Sequence, residues 1–530
     1  MRRLLSPGIL AETPSKLRIL KRFQSWVCSV LLLPLVTLSI CYGKSDRDLV
    51  VVVGAVSSGS LFPPAIRQYY RDNGLRDPLL VHVPDQWPIA PDFIKSFRSS
   101  DFDICLETSD RTQLVIEIDK ILERTKTDLV AISGPFEGSI ELADFLSESF
   151  SGRYPIATNG TRLSEARRRK DLMMEAVHPL RTPLRFSTRD ASAAQAWVEE
   201  HNLLNQPANT VVVKPVKSGG SVGLHYVHSL EQVARATNDI LGESNLYETS
   251  SKNQAVEIQE FLVGDEYVVN VVSSKVGDKV YRVVTDVWRY KKRKSPTGND
   301  IYFFDELIPP EQIPPGLTSY VYSVMDKLEI HTGWGHAEVK MVADDPVLIE
   351  IGARPMGAKQ PAFVEQRLGY SQTNLGVLAF LDPGKFRAYA EAHPIYEFPS
   401  EKRMVVYTLK APKKGLWFRE DSEQIIRSLP SVVNYRPYFS LTEPLPVTKD
   451  LTTAPGDIWL FGTPEQVESD INRLSELEEN QGLYRKRPVC SLILRGKATL
   501  GKVASALKEL SETGSAMHPP YRRYQTNPRW

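Results

Sequence analysis

The chain's 530 residues exceed what one ordinary core organises, so several domains are expected. Hydrophobic residues at 42% and charged residues at 24% exclude a disordered chain, a coiled coil and a polytopic membrane protein. Lys and Arg number 65 against 64 Asp and Glu, and a net charge of +1 sets up no field that recruits nucleic acid.

The first 45 residues read as a leader. Trp26 to Tyr42 carries no charge and follows the basic Arg18, Lys21 and Arg22. As a helix this run would span roughly 26 Å, slightly short of the ~30 Å hydrocarbon core. A signal peptide or a single membrane anchor fits it better than a buried helix. Cys28, Cys41, Cys105 and Cys490 form no CxxC or Cys/His spacing, which argues against a zinc site or a disulfide framework.

After the leader, Leu49–Val53 is a continuous apolar run ending at Gly54, the pattern of a buried parallel strand. A helix over Pro64–Asn73 follows, then strands at Leu79–Val83, Asp103–Leu106 and Leu129–Ser133, with a helix over Leu114–Thr125. Alternating strands and helices define an α/β domain over residues 46–160. From Ser164 a charged helix is expected, ending before Pro179. Beyond it the texture turns to strands: Thr210–Val216, Leu224–Val227, Val256–Leu262, Tyr267–Ser273 and Tyr281–Trp288. After Pro399 come strands near Met404–Lys410 and Asp457–Gly462 and a helix over Pro464–Glu479. The last residues, rich in Pro, Arg and Tyr, read as a tail.

Three segments carry chemistry. In the first, a strand delivers Lys214 into a loop containing Ser218, Gly219, Gly220, Ser221 and Gly223. Such a loop exposes backbone N–H groups to phosphate oxygens while the lysine adds fixed positive charge. The bland alternative is a glycine-rich hairpin with a solvated lysine. Gly219 to Gly223 also satisfies G-x-S-x-G, but that nucleophile elbow needs a helix next, and Leu224–Val227 reads as a strand. No G-x-x-x-x-G-K-[ST] string occurs.

In the second segment, a strand end, a glycine turn and another strand place Glu260 and Glu266 at the mouth of a β-structure. An acid there can accept ribose hydroxyls, and exposed strand-end backbone can read an adenine edge. Acidic residues at hairpin ends are more often simply solvated. The third segment is two strands joined by a turn at Ala343–Pro346. An antiparallel pairing about residue 344 sets Glu338 opposite Glu350. Alternation then gives one face His336, Glu338, Lys340, Glu350 and Arg354, and the other Val339, Met341, Ile349 and Ile351. Facing carboxylates repel unless a cation lies between them, and hard oxygen ligands suit Mg²⁺. A surface hairpin of mixed charge is the alternative.

In this order, the three segments resemble the ATP-grasp superfamily, most of all its carboxylate–amine ligases of the L-amino-acid ligase and carnosine-synthase-like type. The resemblance covers roughly residues 48–485. It implies an α/β (α+β) fold: an N-terminal α/β domain, a two-lobed ATP-grasp domain over 161–398 and a small C-terminal α+β domain over 399–490, with 491–530 as the tail. It implies that Lys170 and Lys214 contact phosphates, that the loop from Ser218 to Gly223 covers them, and that Glu260, Phe261 and Leu262 form the adenine hinge. Glu266 would bind the ribose, Glu338 and Glu350 the Mg²⁺ (with Mn²⁺ as an alternative), and Arg354 the transferring phosphoryl group. His336 and Trp288 are candidates for substrate contact.

One departure is Gly352, where the superfamily often has Asn two residues after the second metal carboxylate. The implied activity is ATP-dependent, ADP-forming ligation of a carboxylate to an amine through an acyl phosphate, on amino acids. A membrane-tethered ATP-binding protein without turnover is the competing reading, motivated by Gly352. The expected partners are the small acid and amine. A single anchor at residues 26–42 and a homodimer are both compatible with the sequence. Charge flanks put an anchored catalytic region outside the cytosol, whereas ATP consumption favours the cytosol. The sequon at Asn159 would be glycosylated in an exposed lumenal region.

Overall fold

The computed structural model describes residues 47–486 apart from 90–93, 207, 246, 297–299 and 358–359. The leader run 26–42, Cys28, Cys41, Cys490 and the tail lie outside the described residues. Among the described residues no helix is long and apolar enough to cross a membrane.

The N-terminal unit is a parallel sheet. Its strands are β1 (Asp48–Val53), β2 (Leu79–Val83), β3 (Ile104–Cys105) and β4 (Asp128–Ser133), in the order β3-β2-β1-β4. Leu49 to Val53 are fully buried because helices cover both faces, as the unbroken apolar run anticipates. The helices Phe62–Asp72 and Arg111–Thr125 lie close to their expected places. A third, Ile140–Ser151, follows β4.

The expected helix from Ser164 is a correction. Residues 162–168 are turns, and the helix runs only from Lys170 to Ala176. The break falls at Arg169, whose backbone is extended, and the Lys170 N–H goes to Val216 O instead of back along a helix. The Arg167 guanidinium in the preceding turns is buried and donates to the carbonyls of Asn159, Gly160 and Leu328 and, at 2.6 Å, to Asp144. Asn159 itself donates to Thr332 O and accepts from the backbone N–H groups of His331 and Thr332, so the sequon amide is committed inside the fold.

A second sheet holds β5 (Arg185–Thr188), β6 (Val211–Pro215), β7 (His225–Val227) and β8 (Val256–Glu260) in the order β5-β8-β6-β7. Helices Ala191–Glu200 and Leu230–Gly242 cover one face; they are capped by Asp190 and Ser229, whose side chains accept from Ala193 N and Gln232 N.

The third sheet is the largest. Chain order gives β9 (Glu266–Val276), β10 (Lys279–Lys294), β11 (Asp300–Leu307), β12 (Gly333–Val342) and β13 (Asp345–Gly352). After Pro399 follow β14 (Arg403–Thr408), β15 (Leu416–Phe418), β16 (Val432–Pro437), β17 (Gly456–Gly462) and β18 (Tyr484–Lys486). Spatial order is β13-β12-β9-β10-β11-β14-β17-β16, so the strands after Pro399 join this sheet through β11, while β15 and β18 pair separately. Val268, Val269, Val271 and Val272 of central β9 are wholly buried, each contributing about 1.5–3 kcal/mol of apolar burial.

Candidate active site

The second and third sheets face each other across an open cleft. One wall carries Lys214, the loop from Ser218 to Val222, Tyr226 and Gln259. The other carries Glu266, Lys292, Tyr302, Glu338, Lys340 and Glu350. Phe261 and Leu262 join the walls, and Lys170 closes one end.

The loop is shaped by its glycines. Gly220 and Gly223 take φ of +62° and +71°, and Ser221 shares that region at +62°. A strand, not a helix, follows at β7, which rules out a nucleophile elbow at Ser221. Leu451 N donates to Gly220 O, so the segment before β17 holds the loop from outside.

Lys170 is the loop's inner partner. Its Nζ donates to Ser218 O at 2.6 Å and pairs with Glu350 Oε2 at 2.7 Å. Burial alone would lower this ammonium's pKa, but Glu350 outweighs it and the net direction is upward. Lys214 sits across β6 and β8 from Glu257, 3.4 Å away, and neither Glu257 oxygen accepts a hydrogen bond.

Glu338 and Glu350 are direct cross-strand partners, as expected. The turn is a two-residue one, Ala343 and Asp344 both taking positive φ. Past Glu338 the register slips by one, so Val339 pairs with Leu348 and Ile349 is the bulged residue. Ile349 consequently lines the cleft, which corrects the strict alternation that placed it on the opposite face. Burial, then Glu350 and Glu266, pushes the Glu338 carboxyl up to about 8. Burial also opposes ionisation of Glu350, but Lys170 overrides it and holds this carboxyl below its ordinary range. The pair therefore has one carboxylate paired with a protein cation and one, Glu338, without such a partner at hydrogen-bond distance among the described residues. Among the described residues no cluster of three His, Cys, Asp or Glu forms, so a cation here would take two carboxylates and complete its shell with phosphate oxygens and water.

Glu266 accepts two bonds from Lys292 Nζ, at 2.7 and 2.9 Å. The Glu260 carboxylate turns the other way, accepting from Leu184 N, so of the two acids in the second segment only Glu266 faces the cleft. Lys340 donates to Leu262 O at 3.0 Å and stands over the Phe261 ring; burial lowers its pKa. Sequence alone assigns no role to Gln259 or Lys292, whereas alternation places Lys340 on the carboxylate face, where the structure has it. Alternation along β10 from Trp288 through Tyr290 to Lys292 was the available signal for Lys292. Gln259 Oε1 is buried without a partner and lines the cleft.

Arg354 lies just past β13, bonded through Nε to Glu137 at 3.0 Å. His336 is buried behind Glu338, its Nε2 3.8 Å from the carboxylate and its Nδ1 2.8 Å from Asn270 Oδ1. Burial, then Arg354, holds its imidazole well below the usual range, hence neutral. Trp288 is wholly buried in the main core with its indole N–H on Asp286, and the structure does not bring it to the cleft wall.

A cleft between two β-lobes, with a glycine loop over it and paired carboxylates at its floor, is the arrangement of an ATP-grasp domain. A family model for the ATP-grasp domain matches residues 208–361. Dapdiamide A synthase of Enterobacter agglomerans is 28% identical over 424 residues, covering 78% of this chain and 92% of that protein. The L-amino acid ligase from Bacillus licheniformis superposes with a TM-score of 0.58 at 15% identity, covering 82% of this chain and 98% of that one. The N5-carboxyaminoimidazole synthase from Aspergillus clavatus, in complex with ADP, gives 0.53 at 13% identity, with coverage of 82% and 99%. Residues 208–361 thus match an ATP-grasp domain, and the enzyme class is that of ADP-forming ligases making C–N bonds.

Proposed function

We propose that this chain joins the carboxylate of one amino acid to the amine of another at the expense of ATP. The observation that carries this reading is the convergence of Lys170, Lys214, Glu338 and Glu350 on one cleft beneath the glycine loop. The names of the relatives, an L-amino acid ligase and dapdiamide A synthase, support amino-acid substrates.

In this reading a carboxylate oxygen of the acid attacks the γ-phosphorus of ATP, and ADP leaves. The amine nitrogen then attacks the acyl carbon and loses its proton, the C–O bond to phosphate breaks, and an amide remains. Lys170 and Lys214 place fixed positive charge along the phosphates. Backbone N–H groups of the loop cover them and exclude water from the labile acyl phosphate. Glu266 receives the ribose hydroxyls, the backbone of Phe261 and Leu262 meets the adenine edge, and Arg354 faces the transferring phosphoryl group. Glu338 and Glu350 would hold Mg²⁺, which when bound neutralises phosphate charge. The 26–42 run gives the full chain a membrane-directed segment.

The test is ADP and phosphate release by the purified full-length chain, with each amino acid singly and in pairs. Release that needs a particular pair is the expected result. Nucleotide binding with no pair-dependent release would favour an ATP-binding protein without turnover.

The carboxylate pair makes a second prediction. A Glu carboxyl raised in the folded state and ordinary in the unfolded one keeps its proton longer when folded. Its contribution to stability is therefore full below the unfolded pKa and is lost as pH rises toward about 8. A cation needs both carboxylates ionised, so the rise in thermal midpoint that Mg²⁺ adds to the ADP-bound protein should grow over this interval. Glu338→Gln should flatten the metal-free profile and remove most of the Mg²⁺ increment; an unchanged increment would count against the assignment.

A further inference from the structure

Gly352 reads from sequence as a lost metal ligand, and the structure gives its missing side chain another meaning. A Cβ on Gly352 would lie 2.9 Å from Glu137 Oε2 and 3.3 Å from both Cγ and Nε of Arg354. The volume that an Asn would fill is filled by the Glu137–Arg354 ion pair. Glu137 comes from the turn after β4 in the N-terminal sheet, 217 residues from its partner in sequence.

Arg354 is held at two points. Nε donates to Glu137 Oε2 at 3.0 Å, and Nη1 donates to Pro355 O at 3.0 Å. Among the described residues Nη2 makes no hydrogen bond, so one edge of the fork stays open while the rest is fixed. Burial would lower the guanidinium's pKa, but Glu137, the largest opposing influence, carries it upward and keeps the charge in place. A planar fork with two fixed donors presents its third in one orientation, which is how a phosphoryl group is met without reorganisation.

The same turn reaches the phosphate loop. Phe136 meets the Tyr247 ring edge-on at 5.8 Å, and the Tyr247 hydroxyl occupies the space where a Cβ on Gly219 would stand. Two positions without side chains, Gly219 and Gly352, thus admit a hydroxyl backed by this turn and a carboxylate belonging to it.

We infer that Glu137 is the positioning residue of Arg354 and that Gly352 is the opening that admits it. The N-terminal unit therefore takes part in the reaction centre rather than only flanking it. The inference rests on the proposed function in that Arg354 acts on the transferring phosphoryl group.

The experiment compares Glu137→Ala, Glu137→Gln, Gly352→Ala and the double variant Glu137→Ala/Gly352→Ala in the full chain. A misplaced arginine should lower kcat by roughly 10–100-fold in Glu137→Ala, with affinity for ADP held within about twofold. Gln keeps an acceptor for the Nε proton and should recover most of that loss. Gly352→Ala should match Glu137→Ala, and the double variant should be no worse than either. Unchanged kcat in Glu137→Ala would overturn the inference. So would losses that multiply in the double variant, or kcat, ADP affinity and thermal midpoint all falling together.

If the wild-type chain releases no ADP with any amino-acid pair, the proposed function fails separately, and the pair is still read by melting. Glu137→Ala and Arg354→Met should then lower the midpoint by amounts that do not add, whereas additive shifts would overturn the pairing.

Discussion

Glu350→Gln is expected to reduce amino-acid-dependent ADP formation by roughly 10²–10³-fold, the largest loss of any isosteric change in the cleft. The substitution keeps the volume and one oxygen, so packing does not explain the effect. What disappears is a charge that does two things. In the proposed reaction Glu350 is one of two carboxylates for Mg²⁺, and it is also the 2.7 Å partner of Lys170. Glu338 cannot replace it, because burial pushes that carboxyl toward its neutral form. Without Glu350, Lys170 keeps only Ser218 O, and an ammonium this buried then resists carrying charge. One change therefore weakens both the cation site and a phosphate-facing lysine. Initial rates of ADP release under saturating substrates measure this, alongside ADP affinity without Mg²⁺. The affinity should fall far less than the rate. A variant within tenfold of wild type would remove Glu350 from the reaction.

The parts of this site that sequence made legible are those whose partners lie close in the chain. Glu338 and Glu350 sit on one hairpin, so a short turn brings them nearly opposite, and the bulge at Ile349 completes the pairing. Ile349 itself escaped strict alternation because a one-residue bulge leaves no mark on the hydrophobic pattern. Helices Ala191–Glu200 and Leu230–Gly242 were missed although Asp190 and Ser229 announce their starts; the strands around them dominated the texture. β11 was missed too, since Phe303, Phe304, Asp305 and Glu306 follow no simple alternation, yet it carries the sheet across to β14. Lys292 was hidden in a basic run that reads as a solvated face, whereas its ammonium is buried against Glu266. Glu137 had no local signal at all. Its meaning depends on a partner in another sheet and on a side chain that residue 352 lacks.

Gly264→Ala should be the most damaging single methyl group in the nucleotide cleft. Gly264 forms the turn between β8 and β9 at φ +156°, and a Cβ there would lie 1.9 Å from Met341 O and 2.8 Å from Met341 C. Both are backbone atoms of β12, so no flexible side chain can give way. The turn is also tied to that strand by Met341 N donating to Asp265 O at 2.9 Å. Relief therefore requires the turn and β12 to separate, at a cost of about 3 kcal/mol or more. The consequence for function follows from what flanks the turn. Phe261 and Leu262 precede it and Glu266 follows it, with Leu262 O accepting from Lys340 and Glu266 accepting from Lys292. Movement of the turn displaces the proposed adenine hinge and the proposed ribose acid together, while Lys170, Lys214 and Glu350 stay anchored elsewhere. ADP affinity should fall at least tenfold, with a lower thermal midpoint, and saturating ATP should restore much of the rate. Loss of rate that saturating ATP does not recover would place the damage at the carboxylates instead. Wild-type affinity would mean that the strand and turn part more easily than two backbone atoms in contact should allow.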